Sequence, residues 1–296
     1  ERKYAVETIV RAFEYFALSR TTYQRLREDF ELPGITTLKR LTSTTKNLSD
    51  EVYIQNVFNN LPDDRQRNCI LLVDEVYVKS TLQYHGGILF GKAVNKPDND
   101  ELANTVLSFM VVCMFGGPKF LCKILPTKAL DAEFLFHQTQ TLLSAIKRFG
   151  GKVIAIVSDG NKVNQSMFKK FDCVKPWRTT DGTFLLFDFV HLLKNIRNNW
   201  ITDKSGDPDK KVAKWSCIKD LYKLEQEQIV KMSRVTEVAA YPTPIERQKV
   251  SFCLQIFSDE TISALKNHPN MKDANDTVLF LKEVLQFWKI VNVHSP

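Results

Sequence analysis

Residues 69–78 read Cys-Ile-Leu-Leu-Val-Asp-Glu-Val-Tyr-Val, a nearly unbroken apolar, β-branched run with acids at its centre. A central strand buried in a sheet demands such a run. Strand alternation puts Leu72, Asp74 and Val76 on one face and Val73 and Glu75 on the other. A buried carboxylate without a partner is costly, so Asp74 calls for a donor, a proton or a cation. An edge-facing Asp, or one satisfied by a backbone amide, is the other reading.

Downstream, residues 83–90 predict a second strand, with Gly86-Gly87 as a bulge or turn. Residues 105–114 predict a third, and 119–125 extend or pair with it. Asp131 is placed to cap a helix running to Phe149. Residues 152–158 form a short apolar strand ending in Asp159-Gly160, a helix follows over 162–170, and 184–187 form a fifth strand that leads into a helix through Trp200. This order predicts an α/β fold, a mixed sheet flanked by helices. Its three-strand opening departs from the alternating units of a Rossmann domain and is the order of the RNase H-like fold.

The flanks are helical. Ala5, Ile9, Phe13, Phe16 and Ala17 share one face, Ser19 suits an N-cap, and Tyr23, Leu26 and Phe30 form a second stripe. Pro33-Gly34 ends that helix, and a short third one, capped by Thr36 or Thr37, carries Leu38, Lys39, Arg40 and Leu41. The arrangement is helix-turn-helix-like, and Arg20, Arg25, Arg27, Lys39 and Arg40 would meet DNA phosphates. A small bundle with a solvated basic face fits the same pattern. A linker over 43–50 leads to a helix capped by Ser49, and after Trp200 a polar loop over 202–211 precedes a helical remainder. The expected division is a helical, helix-turn-helix-like DNA-binding segment 1–48, an RNase H-like α/β core 49–205 and an all-helical unit 206–296.

A net charge of +7 suits a polyanionic partner. The cysteines form no C-x-x-C pair and sit mostly in apolar runs, as buried free thiols in a reducing compartment do. No apolar run approaches the ~20 residues needed to cross a bilayer, so no membrane partner is expected. The opening Glu1-Arg2-Lys3 has neither an initiator Met nor a signal peptide's apolar stretch, as expected of a piece of a longer protein.

Asp159 sits at the carboxyl end of its strand, where α/β proteins place their sites. An Asp-Gly turn or an N-cap is the plainer alternative. In the proposed strand order Asp74 and Asp159 become neighbours, and two facing carboxylates are naturally compensated by a divalent cation. Oxygen-only ligands suit Mg²⁺ or Mn²⁺, and two such ions about 3.5–4 Å apart support in-line phosphoryl transfer. Asp188 and His191, three residues apart, share a helix face, and Lys194, Arg197 and Asn198 continue a polar stripe suited to phosphates. A satisfied core His beside a capping Asp is the competing reading.

Three segments carry a family resemblance: Leu71-Leu-Val-Asp-Glu-Val-Tyr-Val-Lys79; Val157-Ser-Asp-Gly-Asn161 with Asn164 and Phe168; and Asp188-Phe-Val-His-Leu-Leu-Lys-Asn-Ile-Arg-Asn-Asn199. They resemble the P-element transposase family, which includes the THAP-domain-linked transposases, and the Asp-x-x-His motif is the most specific of the three. The resemblance implies a DDE-type transposase that cleaves and joins DNA in the nucleus, as a homo-oligomer on transposon ends and target. It implies Asp74 and Asp159 as the first two catalytic acids and metal ligands, with Asp188 and His191 supporting the site. The third acid, a Glu, would follow a helical insertion and lie beyond Pro296, leaving this piece inactive alone. Segments Ser251-Phe-Cys-Leu-Gln-Ile-Phe-Ser258 and Phe280-Leu-Lys-Glu-Val-Leu-Gln-Phe-Trp288 resemble that insertion's opening. Glu283 reads as a solvated helix residue. GTP is a further implied ligand, its contacts expected mostly past residue 296, and there is no Walker A motif. A domesticated, non-catalytic DNA-binding relative and an RNase H-like nuclease acting on RNA or hybrids are the alternative readings.

Overall fold

The computed structural model describes residues 4–45, 50–85, 88–96, 100–202, 213–271 and 274–292. Helices α1 (Val6–Leu18), α2 (Arg20–Asp29) and α3 (Ile35–Thr45) form a small unit around Ala12, Tyr23 and Leu38. Ser19 caps α2 by accepting from Thr22 N at 3.2 Å, and the Tyr23 hydroxyl donates to the Pro33 carbonyl at 2.6 Å. That bond ties α2 to the turn and satisfies a buried phenol. Helix α3 begins at Ile35, before the Thr36 or Thr37 cap that the sequence suggests. The Ser49 cap, the Gly86-Gly87 turn and all but Thr202 of the polar loop expected over 202–211 lie outside the described residues.

Helix α4 (Asp50–Asn59) leads to β1 (Asn68–Tyr77), then to β2 (Gln83–His85) and β3 (Ile88–Phe90). Next come β4 (Thr105–Cys113), β5 (Lys119–Thr127), α5 (Ala132–Arg148), β6 (Lys152–Ser158) and α6 (Lys162–Phe168). Strands β7 (Cys173–Lys175), β8 (Arg178–Thr179) and β9 (Phe184–Phe187) complete a seven-stranded sheet of order β5-β4-β1-β6-β9-β8-β7. Strand β1 runs antiparallel to β4 and parallel to β6, which is parallel to β9.

The second predicted strand is not in this sheet. Residues 83–85 and 88–90 pair only with each other, as an antiparallel hairpin. Tyr84 and Phe90 stay exposed, so this segment lacks a face to bury. The third strand of the opening is β5 instead, whose Phe120 and Cys122 are buried.

One face of the sheet packs Leu71, Val73, Phe109, Val111 and Ile156 against Leu135, Leu142 and Ile146 of α5 and Phe58 of α4. Each such fully buried side chain contributes about 1.5–3 kcal/mol. Asp131 starts α5 by accepting from Phe134 N at 2.8 Å. Gly151, entering β6, lies so close to this core that a Cβ would meet Ile146 and Phe58 at 2.6 Å.

A second core is helical. It joins α7 (Phe189–Thr202), α8 (Trp215–Gln226), α9 (Glu237–Ala240), α10 (Val250–Ile256), α11 (Asp259–Asn267) and α12 (Asn275–Val291). Trp200 sits edge-on to Trp215 at 4.8 Å and to Phe280 at 4.9 Å between ring centroids. Helix α7 thus starts at the end of β9 and buries Leu193 and Trp200 in the helical unit. Among the described residues no helix is long and apolar enough to cross a membrane.

Candidate active site

Strands β1, β6 and β9 are mutually parallel along their shared length, so their carboxyl ends lie on one rim. The register pairs Val73 with Ser158 and Ser158 with Phe187. The next residues are Asp74, Asp159 and Asp188, three acids level with one another on neighbouring chains. Adjacent strands lie about 4.8 Å apart. Val73 and Ser158 are buried, so alternation turns Asp74 and Asp159 toward the opposite face. Asp74 is exposed and Asp159 half-buried.

Each acid is held differently. Asp74 Oδ1 accepts from the Glu75 amide at 2.9 Å, and Ser108 Oγ donates to the Asp74 carbonyl at 3.1 Å. Asp159 Oδ1 accepts from Asn164 Nδ2 at 2.5 Å and from Asn161 N at 3.2 Å. Asp188 caps α7, its Oδ1 accepting from Val190 N at 2.7 Å and His191 N at 3.3 Å. The Asp188 amide donates to the Ser158 carbonyl at 2.8 Å and so extends the sheet by one residue. His191 is half-buried one turn along the same helix.

Arg197 must be corrected. Its side chain is fully buried, with Nη2 donating to the Arg247 carbonyl at 2.5 Å and to Asn198 Oδ1 at 3.0 Å. Burial, above all, pushes its pKa down. A guanidinium enclosed between α7 and the turn before α10 does not reach a DNA phosphate. Lys194 is half-buried on α7, whereas Arg20, Arg25, Arg27, Lys39 and Arg40 are exposed on α2 and α3. Glu283 is exposed on α12.

Among the described residues no three His, Cys, Asp or Glu side chains gather closely enough to hold a metal ion. Asp74 and Asp159 therefore offer a two-carboxylate, oxygen-only edge. That donor type fits a hard divalent cation and leaves positions for further oxygens. The cysteines are free, and burial pushes the thiols of Cys69 and Cys122 up to about 12, which makes them inert core residues.

Asn161 and Asn164, which the sequence marks only as carriers of the family resemblance, gain a structural role here. Asn161 is the N-cap of α6, accepting from Asn164 N at 2.8 Å, so Asp159 is not the cap. Asn164 is almost fully buried beside Asp159. The spacing Asp-Gly-Asn-x-x-Asn holds the signal, since it supplies a cap and a residue three positions on that faces back.

Two family models match in succession. "TNP-like, RNase H N-terminal domain" covers residues 52–172, and "TNP-like, GTP-binding insertion domain" covers 190–296. The second begins inside α7, the helix shared by the sheet rim and the helical core. The "Transposable element P transposase" of Drosophila melanogaster is 23% identical over 279 residues, 90% of this chain and 36% of that protein. Human "DNA transposase THAP9" is 23% identical over 319 residues, 98% of this chain and 35% of that protein. The chain thus spans about a third of the length of the curated relatives it matches. The solved "Drosophila P element transposase strand transfer complex" shares its fold, with a TM-score of 0.76 and 22% identity over 99% of this chain and 67% of that one.

Proposed function

Because the chain belongs to the P-element transposase family, we propose that it carries part of the machinery of a DNA transposase, with Asp74 and Asp159 as two of its catalytic acids. The observation that carries this reading is the register that sets Val73 level with Ser158, so that Asp74 and Asp159 follow side by side from neighbouring parallel strands. They would hold Mg²⁺ or Mn²⁺ between them. A bound divalent cation supplies charge stabilisation for in-line phosphoryl transfer between DNA strands.

The chain's own residues do the rest. Asp74 and Asp159 would hold that cation at the carboxyl rim of the sheet. Asp188 fixes the first turn of α7 and sets His191 beside the rim. The exposed cations of α2 and α3 hold double-stranded DNA, the transposon ends and target, by its phosphates. The name of the domain matched by residues 190–296 supports GTP as a further ligand of the helical unit, with most of its contacts expected past residue 296. The third acid, a Glu, comes from sequence after the helical unit, so residues 1–296 alone are expected to be inactive. Work on DNA places the protein in the nucleus, and pairing two transposon ends calls for a homo-oligomer.

The test uses the full-length protein with Mg²⁺ and double-stranded DNA carrying its terminal repeats. Strand cleavage and joining are expected for the wild type and absent from Asp74→Asn and Asp159→Asn, with DNA binding retained by both. Cleavage retained in either variant overturns the assignment.

A further inference from the structure

Asn164 has a buried side-chain amide that the helix does not need. It is only 6% exposed, and the cap of α6 is completed by its backbone, which donates to Asn161 Oδ1 at 2.8 Å. Its side chain is directed elsewhere. Nδ2 donates to the Asp159 carbonyl at 3.3 Å and to Asp159 Oδ1 at 2.5 Å. Both partners are acceptors, so the nitrogen and not the oxygen must face them, and the amide orientation is settled by chemistry.

The arrangement departs from an ordinary capping box. There, the third residue of the helix reaches back as an acceptor for the N-cap amide. Here Asp159 Oδ1 takes the Asn161 amide at 3.2 Å, and the third residue, Asn164, donates to that same oxygen. Gln165 Nε2 closes the turn on the Gly160 carbonyl at 2.8 Å. Two donors converge on Oδ1, and Oδ2 accepts no hydrogen bond among the described residues.

We propose that Asn164 is a positioning residue for the acidic pair: it locks the Asp159 carboxylate through Oδ1, so that Oδ2 stands available to the divalent cation shared with Asp74. This rests on the reading of Asp74 and Asp159 as cation ligands. Outer partners of ligating carboxylates fix their orientation, and losing one typically weakens metal binding by about 10–100-fold. An acid at position 164 would set two carboxylates against each other, so only a donor serves here.

The test is Mn²⁺ titration of the full-length protein, followed by electron paramagnetic resonance and repeated on strand transfer. Asn164→Ala is expected to raise the Mn²⁺ midpoint by ~10-fold or more. Saturating Mn²⁺ is expected to restore strand transfer to Asn164→Ala but not to Asp159→Asn. Asn161→Ala removes the helix cap but not the Asn164 amide, and should shift the Mn²⁺ midpoint less than Asn164→Ala does. Should Asn164→Ala fold poorly, Asn164→Ser keeps a donor on a shorter side chain and is expected to fall between it and the wild type. If Asp159→Asn weakens Mn²⁺ binding while both Asn164 variants leave it unchanged, the positioning role is overturned. If Asp159→Asn itself leaves Mn²⁺ binding unchanged, the cation reading fails, and this inference with it.

Discussion

Strands β6 and β9 end level with each other, and each hands the chain to a helix through an aspartate. After β6, Gly160 separates Asp159 from the cap, and Asn161 accepts the first-turn amide of α6. After β9 there is no spacer, and Asp188 itself accepts the first-turn amides of α7. A two-residue offset thus divides labour between two chemically identical side chains. Asp159 is not the cap of its helix and only braces the turn before it through the Asn161 amide and the Asn164 side chain, so its loss should reveal mainly chemistry. Asp188 holds the positive end of a helix that the sheet rim and the helical core share, so its loss should also reveal scaffold.

The largest expected effect tests the first half of that contrast. Asp159→Asn or Asp74→Asn in the full-length protein should lower the strand-transfer rate by about three orders of magnitude, roughly 4 kcal/mol of barrier. The thermal midpoint of each should stay within about 2 °C of wild type, because neither carboxylate caps a helix. A large drop in midpoint for Asp159→Asn would give it a scaffold role and erase the difference between the junctions.

Next in size is the far end of α7, where Arg197 holds the turn before α10. Arg197→Ala should cost about 2–4 kcal/mol of stability, from a cavity and lost hydrogen bonds to Arg247 and Asn198. Its Nη1 has no partner among the described residues, so the charge itself is poorly compensated. Arg197→Met, which keeps the volume without the charge, should therefore lose less, about 1 kcal/mol. Urea midpoints of the two variants decide this, and equal losses would mean that the hydrogen bonds outweigh the packing.

These residues also mark where the sequence could be read and where it could not. Runs such as 69–78 and 152–158 announce buried strands because their apolar character is continuous, and the acids that follow mark the rim. The strand order then makes Asp74 and Asp159 neighbours. The paired segments 83–85 and 88–90 mislead because their β-prone residues look like a strand of the main sheet, while inclusion in that sheet depends on a face that only long-range packing supplies. Arg197 misleads for the same reason. Its spacing from Lys194 is that of a polar stripe, and nothing local reveals that the Arg247 carbonyl, 50 residues on, will cover it. Strands β7 and β8, three and two residues long, are too short for any period to show.

Uncapping gives smaller effects that separate the two junctions. Asn161→Ala and Asp188→Ala should each cost about 1 kcal/mol. Amide hydrogen exchange should locate the first loss in α6 and the second in α7, which extends into the helical core. Exchange that spreads equally through both helices in either variant would mean that the junctions fold as one unit rather than two.

The smallest expected change is the sharpest. Asp188→Asn keeps a side-chain oxygen for the amides of Val190 and His191 while removing the charge. Asn caps as well as Asp, so stability should fall by only a few tenths of a kcal/mol, mostly the lost interaction with the helix dipole. If Asp188 serves as a cap, strand transfer by this variant should stay within about tenfold of wild type, a small share of the barrier that charge stabilisation at a metal-dependent site commands. A loss as deep as that of Asp159→Asn would instead make the charge of Asp188 part of the acidic rim. The three level carboxylates of β1, β6 and β9 would then act as one set, and the offset at Asn161 would no longer distinguish ligand from scaffold.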